Sequence, residues 1–150
     1  DNGFDHYEIS NFGKPDFYSR HNTSYWKYKP YLGIGPSAHS YDGEQIRAWN
    51  IANNSLYIKD LLQGKLPIEK EILSEKDRYN EMLMIGLRTS WGVDLAKIKN
   101  DFSDEIIQKF NADIQPKIEQ GILLIENNHL KIPEKHWFFA DGIASDLFLI

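Results

Sequence analysis

The sequence predicts an α+β protein, β-rich at its start and helical with a winged-helix-like order after that. Three observations carry this. Residues 1–55 hold 11 of the 20 aromatic side chains, in short β-prone runs broken by Gly and Pro. From residue 56 on, apolar residues recur at three- and four-residue steps behind helix-capping residues. Near the end, two β-prone runs flank Asn127-Asn128. Composition is that of a chain able to bury a core, with 150 residues, 41% hydrophobic and 26% charged.

In the first part, His6-Tyr7-Glu8-Ile9-Ser10 alternates like a strand and is stopped by Gly13-Lys14-Pro15. Tyr31-Leu32-Gly33-Ile34-Gly35 reads as a short apolar strand entering a glycine turn. Asp42-Gly43 is a hairpin turn leading to a strand at Arg47-Ala48-Trp49-Asn50-Ile51. Strands of this kind, with so little helix, look like the last piece of a larger sheet. A boundary is expected near Asn53-Asn54-Ser55, where polar residues interrupt both patterns.

Beyond it, Asn54 or Ser55 caps a helix carrying Tyr57, Ile58, Leu61 and Leu62, with Gly64 at its end. Ser74 and Asp77 form a variant capping box for the strongest helix, whose buried stripe is Tyr79, Met82, Leu83, Gly86 and Leu87. Asp94 caps a brief helix with Leu95 and Ile98. Ser103 caps another with Ile106, Ile107 and Phe110, which Pro116 restarts or kinks before Gly121. Ile122–Ile125 and Leu130–Pro133 pair as a hairpin, because Asn tolerates positive φ. A final helix is expected to bury Phe139, Ile143, Leu147 and Phe148.

Several function classes fall away. The sequence contains no Cys, so these residues supply no disulfide, cysteine nucleophile or thiolate-held iron–sulfur cluster. No apolar run approaches the length of about 18 residues that a membrane helix needs. Asp1-Asn2-Gly3 resembles no signal peptide and has no starting Met, so the chain is read as a piece of a longer protein, of cytoplasmic type. A net charge of −5 argues against general nucleic-acid binding, which uses Lys and Arg to neutralise phosphates. The winged-helix order raises DNA binding again. However, the helix from Ser103 offers Gln108, Lys109 and Asn111 beside Asp104, Glu105 and Asp113, a face that repels phosphate.

Arg20-His21-Asn22-Thr23-Ser24-Tyr25-Trp26 is the densest candidate site. An imidazole can ligate haem iron, and aromatic rings can pack on a flat macrocycle. The alternative is a loop histidine bonded to backbone, with Tyr25 and Trp26 in the core. Gly33-Ile34-Gly35-Pro36-Ser37-Ala38 formally fits a dinucleotide fingerprint, but a turn follows where a helix N-terminus is needed. What remains is either a close backbone approach to a ligand, with Ser37, His39 and Ser40 beside it, or a tight turn that needs glycine. Asp5, His6 and Glu8 suggest a metal site only weakly, and a solvated strand face explains them better. His129 and His136 read as surface residues. Glu69, Glu71, Glu75 and Asp77 read as charge preceding or opening a helix.

Tyr7-Glu8-Ile9-Ser10-Asn11-Phe12, Arg20-His21-Asn22, Tyr31–Gly35, Ser37-Ala38-His39-Ser40 and Arg47-x-Trp49-Asn50 together resemble a known family. So do Arg78-Tyr79-Asn80-Glu81, Gly86-Leu87-Arg88, Gly92–Leu95 and Ala140–Phe148. In order and spacing they are similar to the C-terminal part of the HemW family, radical-SAM haem chaperones related to oxygen-independent coproporphyrinogen III oxidases. The resemblance makes His21-Asn22-x-x-Tyr25-Trp26 the haem-binding motif, with His21 the axial-ligand candidate. It places Thr23, Ser24 and His39 near a second S-adenosylmethionine of the oxidase relatives, from whose pattern this sequence departs at those points. Gly33, Gly35 and Ser37 join them as candidates for cofactor or substrate proximity.

For the fold, the resemblance implies that residues 1–55 are the last strands of a partial β/α barrel and residues 56–150 an accessory domain. A [4Fe–4S] cluster and S-adenosylmethionine would be held by upstream residues. Haem or porphyrin and a haem-acceptor protein are the implied partners. Homodimerisation and peripheral membrane attachment of the longer protein stay open. The alternative activity is oxidative decarboxylation of porphyrinogen propionates.

Overall fold

A computed structural model describes residues 2–150; Asp1 lies outside the described residues. In chain order the elements are β1 (Asp5–Glu8), β2 (Asn11–Gly13), α1 (Arg20–Trp26), β3 (His39–Tyr41), β4 (Ile46–Asn50), α2 (Asn54–Leu62) and β5 (Ile68–Ile72). There follow α3 (Glu75–Gly86), β6 (Val93–Asp94), α4 (Leu95–Asp101), α5 (Asp104–Glu119), β7 (Leu124–Glu126), β8 (His129–Lys131), a 3-10 helix (Glu134–Phe139) and α6 (Ala140–Ser145). This is the α+β class that the patterning predicts. The chain divides into two compact units, one of Asp1–Trp26 with Glu75–Ile150 and the other of Lys27–Ser74. The boundary expected near Asn53–Ser55 therefore falls inside the second unit, at the cap of α2.

The core of the first unit is built on the predicted stripe of α3, where Tyr79, Met82, Leu83 and Gly86 are buried. Tyr79 meets Phe102 and Phe110 edge-on, at 5.6 Å and 6.3 Å between centroids. Ile98 of α4, Ile106 and Ile114 of α5, and Leu123, Leu130 and Leu147 close around them. Burying side chains of this size contributes about 1.5–3 kcal/mol each. Asp94 caps α4 through its carboxylate, which accepts from Ala96 N at 2.8 Å. Ser103 precedes α5 without a side-chain cap bond, and the helix runs through Pro116 to Glu119 instead of restarting there.

The Asn127-Asn128 hairpin forms as read, with φ of 49° and 62° at its tip, and joins β6 in a three-stranded sheet of order β6-β8-β7. Gly92 makes that sheet possible. At φ 76°, a Cβ there would lie 2.3 Å from the Leu130 carbonyl oxygen, so only glycine lets the chain pass. The closing segment differs from the single helix expected. It opens as the 3-10 helix, which turns Phe139 outward (60% exposed), while Ile143 and Leu147 are buried as expected, with Ala140 and Ala144 beside them. Asn80 then fastens the chain's end, donating to Leu149 O at 3.0 Å and accepting from Leu149 N at 2.8 Å.

In the second unit the Asp42-Gly43 turn forms as predicted. One Asp42 carboxylate oxygen accepts from the backbone N–H of Glu44, Gln45 and Ile46 at 2.8–3.0 Å. β4 is the centre of an antiparallel sheet of order β3-β4-β5. Glu69 and Glu71 precede α3, as read, but they do so on the strand β5, facing Trp49 and Arg47. Trp49 Nε1 donates to Glu69 at 3.0 Å and Arg47 pairs with Glu71 at 3.4 Å. α2 is capped by Asn53, whose side chain accepts from Leu56 N, one residue before the expected caps. None of its residues is buried, the predicted Ile58, Leu61 and Leu62 included.

Candidate functional site

The His21 segment is a helix, not a loop. Ser19 stands before it and its Oγ accepts from Asn22 N at 3.3 Å, while Thr23 N donates to Ser19 O at 2.9 Å. Below α1 lies a cluster of rings. Tyr7 of β1 stacks on Tyr18 at 4.3 Å and meets Trp26 edge-on at 5.8 Å. Trp91 lies 6.1–6.4 Å from all three. The Tyr7 hydroxyl accepts from Ser19 N at 3.2 Å, which ties the start of α1 to the first hairpin. Aromatic pairs of this geometry contribute about 0.5–1.5 kcal/mol beyond their burial, so the platform is well held.

On α1, positions 21 and 25 are one helical turn apart and share a face. His21 and Tyr25 are both exposed. Their rings are perpendicular at 4.9 Å, and the Tyr25 hydroxyl is 3.2 Å from His21 Nε2. Trp26 belongs to the ring cluster, and Asn22 and Thr23 are half-buried, with Thr23 Oγ1 enclosed and lacking a hydrogen-bond partner. Ser24 Oγ donates back to Arg20 O at 2.8 Å. The structure thus brings His21 and Tyr25 together as an outward pair. It does not bury Tyr25 as core.

Gly33, Gly35, Ser37 and His39 lie in the second unit. The Tyr31–Gly35 strand does not form: Tyr31 makes one bridge to Tyr41, while Leu32 and Ile34 are 77% and 86% exposed. The buried Asn50 amide instead holds this segment as a loop, donating to Gly33 O at 3.3 Å and Gly35 O at 2.8 Å. Gly33 is pressed on β3, where a Cβ would lie 2.2 Å from His39 O. Its N–H donates to Ser40 Oγ at 2.9 Å, so Ser40 serves the loop. Ser37 takes a positive φ of 60° and, like His39, is exposed.

The Asp5, His6, Glu8 group separates. A register shift between His6 and Glu8 breaks the strand alternation. His6 stacks on Phe12 at 4.1 Å. Glu8 is 3% exposed, which overturns its place on a solvated face. Its Oε2 accepts from Asn11 Nδ2 (2.6 Å), Ser10 Oγ (2.7 Å) and Ser10 N (3.0 Å), and its Oε1 lies 3.4 Å from Arg88 Nη2. Arg88 also pairs with Asp141 at 2.9 Å. Among the described residues no three His, Asp or Glu side chains form a metal-holding group. Sequence reasoning missed the support beneath α1, namely Tyr7, Tyr18 and Trp91. For α1 itself a signal was available, since Ser19 is a cap residue followed by ten residues free of Gly and Pro; for the rings beneath it there was none.

Residues 73–139 match the HemN C-terminal domain. Heme chaperone HemW of Lactococcus lactis is 32% identical over 148 residues, covering 99% of this chain and 38% of that protein. Heme chaperone HemW of a Synechocystis species is 40% identical over 98 residues, covering 64% of this chain and 24% of that protein. Among solved structures, the coproporphyrinogen III oxidase HemN of Escherichia coli, a radical SAM enzyme, aligns over 97% of this chain and 37% of its own. Its TM-score is 0.66 at 15% identity, a likeness of fold alone. The chain spans well under half the length of these relatives. By order of motifs, matched domain and fold together, the chain belongs to the HemW and HemN family and corresponds to the C-terminal part of its members.

Proposed function

We propose that this chain supplies the haem-holding portion of a radical-SAM family haem chaperone, which binds haem and passes it to acceptor proteins. The observation that carries the reading is the outward His21–Tyr25 pair on a helix braced, through Trp26, by the rings of Tyr7, Tyr18 and Trp91. The donor set fits the group: a solvent-facing imidazole ligates iron, and the adjoining phenol offers an aromatic surface to a tetrapyrrole. Haem, when bound, would offer its iron to a nitrogen donor. His21 would be that donor, Trp26 fixes α1 on its platform, and Asn22 is the remaining member of the motif. Thr23, Ser24, Gly33, Gly35, Ser37 and His39 are proposed to lie close to cofactor or substrate.

In this reading the strands within residues 1–55 complete the barrel of the longer protein, and the residues beyond form the accessory domain. The exposed Leu32 and Ile34 support it, because apolar side chains 77% and 86% exposed mark a segment that lacks covering neighbours. With no Cys in the chain, a [4Fe–4S] cluster and S-adenosylmethionine are assigned to other parts of that protein. The proposed location is the cytoplasm. No described helix is long and apolar enough to cross a membrane.

Haem titration of the full-length protein beside its His21→Ala variant tests the proposal. Loss of the axial-imidazole spectrum and at least about tenfold weaker binding are expected, as for removal of a metal ligand's partner or more. An unchanged spectrum and affinity would remove His21 as the ligand. Decarboxylation of coproporphyrinogen by the full-length protein would replace the chaperone reading with the oxidase one.

A further inference from the structure

We infer that the Tyr25 hydroxyl is a built-in competitor for the iron-binding nitrogen of His21, so that Tyr25 weakens haem retention and speeds its release. The inference rests on the haem reading above and concerns the same site. Of the two imidazole nitrogens, Nδ1 adjoins Cβ, and a rigid macrocycle approaching it meets the helix. Nε2, at the far end of the ring, is the donor a tetrapyrrole can reach. The Tyr25 hydroxyl sits 3.2 Å from that nitrogen. If Nε2 carries no proton, the phenol donates to its lone pair; if it carries one, it donates to the phenol oxygen. In both tautomers the lone pair that iron needs is engaged or absent. Iron therefore displaces the hydroxyl before it bonds.

The geometry keeps this competitor in place. Residues 21 and 25 share a face by the helical period, and the perpendicular ring contact at 4.9 Å holds the phenol beside the imidazole edge. A chaperone has to give up its ligand, and an intramolecular group that returns to the donor as iron leaves lowers the barrier to transfer. Replacing Tyr25 by Phe retains the ring contact and removes only the hydroxyl.

The test uses the full-length protein, its Y25F and H21A variants, and haemin as probe. Affinity and axial-ligand spectrum are read by absorbance titration, and release by the rate of haem transfer to apomyoglobin. Y25F is expected to bind about 2- to 10-fold more tightly, the range corresponding to one modest hydrogen bond, with the wild-type spectrum and slower release. Equal or weaker binding by Y25F, or a changed spectrum, overturns the competitor role while leaving His21 as ligand. Wild-type affinity and spectrum in H21A instead overturn the haem reading itself, and the competitor role with it. Circular dichroism melts of the three proteins establish that the comparison is between folded chains.

Discussion

Replacing Glu8 by Gln asks how much the first hairpin depends on one buried charge. Glu8 Oε2 accepts three hydrogen bonds, from Asn11 Nδ2, Ser10 Oγ and Ser10 N, and Oε1 faces Arg88. Gln keeps one oxygen for the three donors but turns an amide NH2 toward the guanidinium, donor against donor. Hydrogen bonds to a charged acceptor contribute about 1.5–3 kcal/mol against about 0.5–1.5 for neutral ones, so each of the three weakens by about 1 kcal/mol. Ser10 and Asn11 are near the surface and regain water, and Arg88 retains Asp141, which brings the expected loss to about 2 kcal/mol. Urea unfolding measures it as a lower midpoint at unchanged slope.

The pH dependence has a definite sign. Burial acts to raise the Glu8 carboxyl, but the hydrogen bonds from Asn11 and Ser10 and the charge of Arg88 outweigh it and hold it below its ordinary value of 4.5. A depressed carboxyl contributes stability above its unfolded value and loses it as pH falls through the folded one. The gap between wild type and E8Q is therefore full at neutral pH and closes below about pH 4. A gap smaller than about 0.5 kcal/mol at neutral pH, or one that persists unchanged in acid, would refute the argument.

Three further substitutions follow. Tyr79 is fully buried and its hydroxyl has no hydrogen-bond partner, so Y79F should leave stability unchanged or raise it by about 1 kcal/mol, whereas Y79A should cost about 3–5 kcal/mol. Thermal melts at constant pH distinguish them, and a marked loss in Y79F would reveal a partner for the hydroxyl. G92A forces a Cβ onto the Leu130 carbonyl at positive φ and should destabilise the first unit by about 2–4 kcal/mol, seen in the denaturation midpoint. L130A, at 0% exposure in the middle strand of the β6-β8-β7 sheet, should cost about 2–5 kcal/mol; a loss under about 1 would mean that the sheet repacks around the cavity.

What was legible in the sequence was what local chemistry decides. Asp94 before α4, the Asn127-Asn128 turn, the Asp42 turn and the α3 stripe each announce themselves within a few residues. The failures were decided elsewhere in the chain. Tyr31–Gly35 has the side chains of a strand, but Asn50 takes the Gly33 and Gly35 carbonyls and leaves Leu32 and Ile34 outside. β5, reading Ile-Glu-Lys-Glu-Ile, has no apolar alternation to betray it and is a strand because β4 pairs with it. Glu8 looked solvated because what covers it, the bridge to Thr89 and the Arg88 guanidinium, comes from 80 positions further along the chain. At the candidate site, the residue types of α1 were readable while its platform was not, since Trp91 arrives from 65 positions beyond Trp26.

The first unit is assembled from two stretches of sequence separated by the whole of residues 27–74. A ribosome delivers β1, β2 and α1 long before Arg88 or Trp91 exists, so the nascent N-terminal segment must idle with its tyrosines and Trp26 uncovered. Closing that long a gap is a slow, late event, and the imidazole-bearing helix acquires its fixed pose only after Trp91 has emerged.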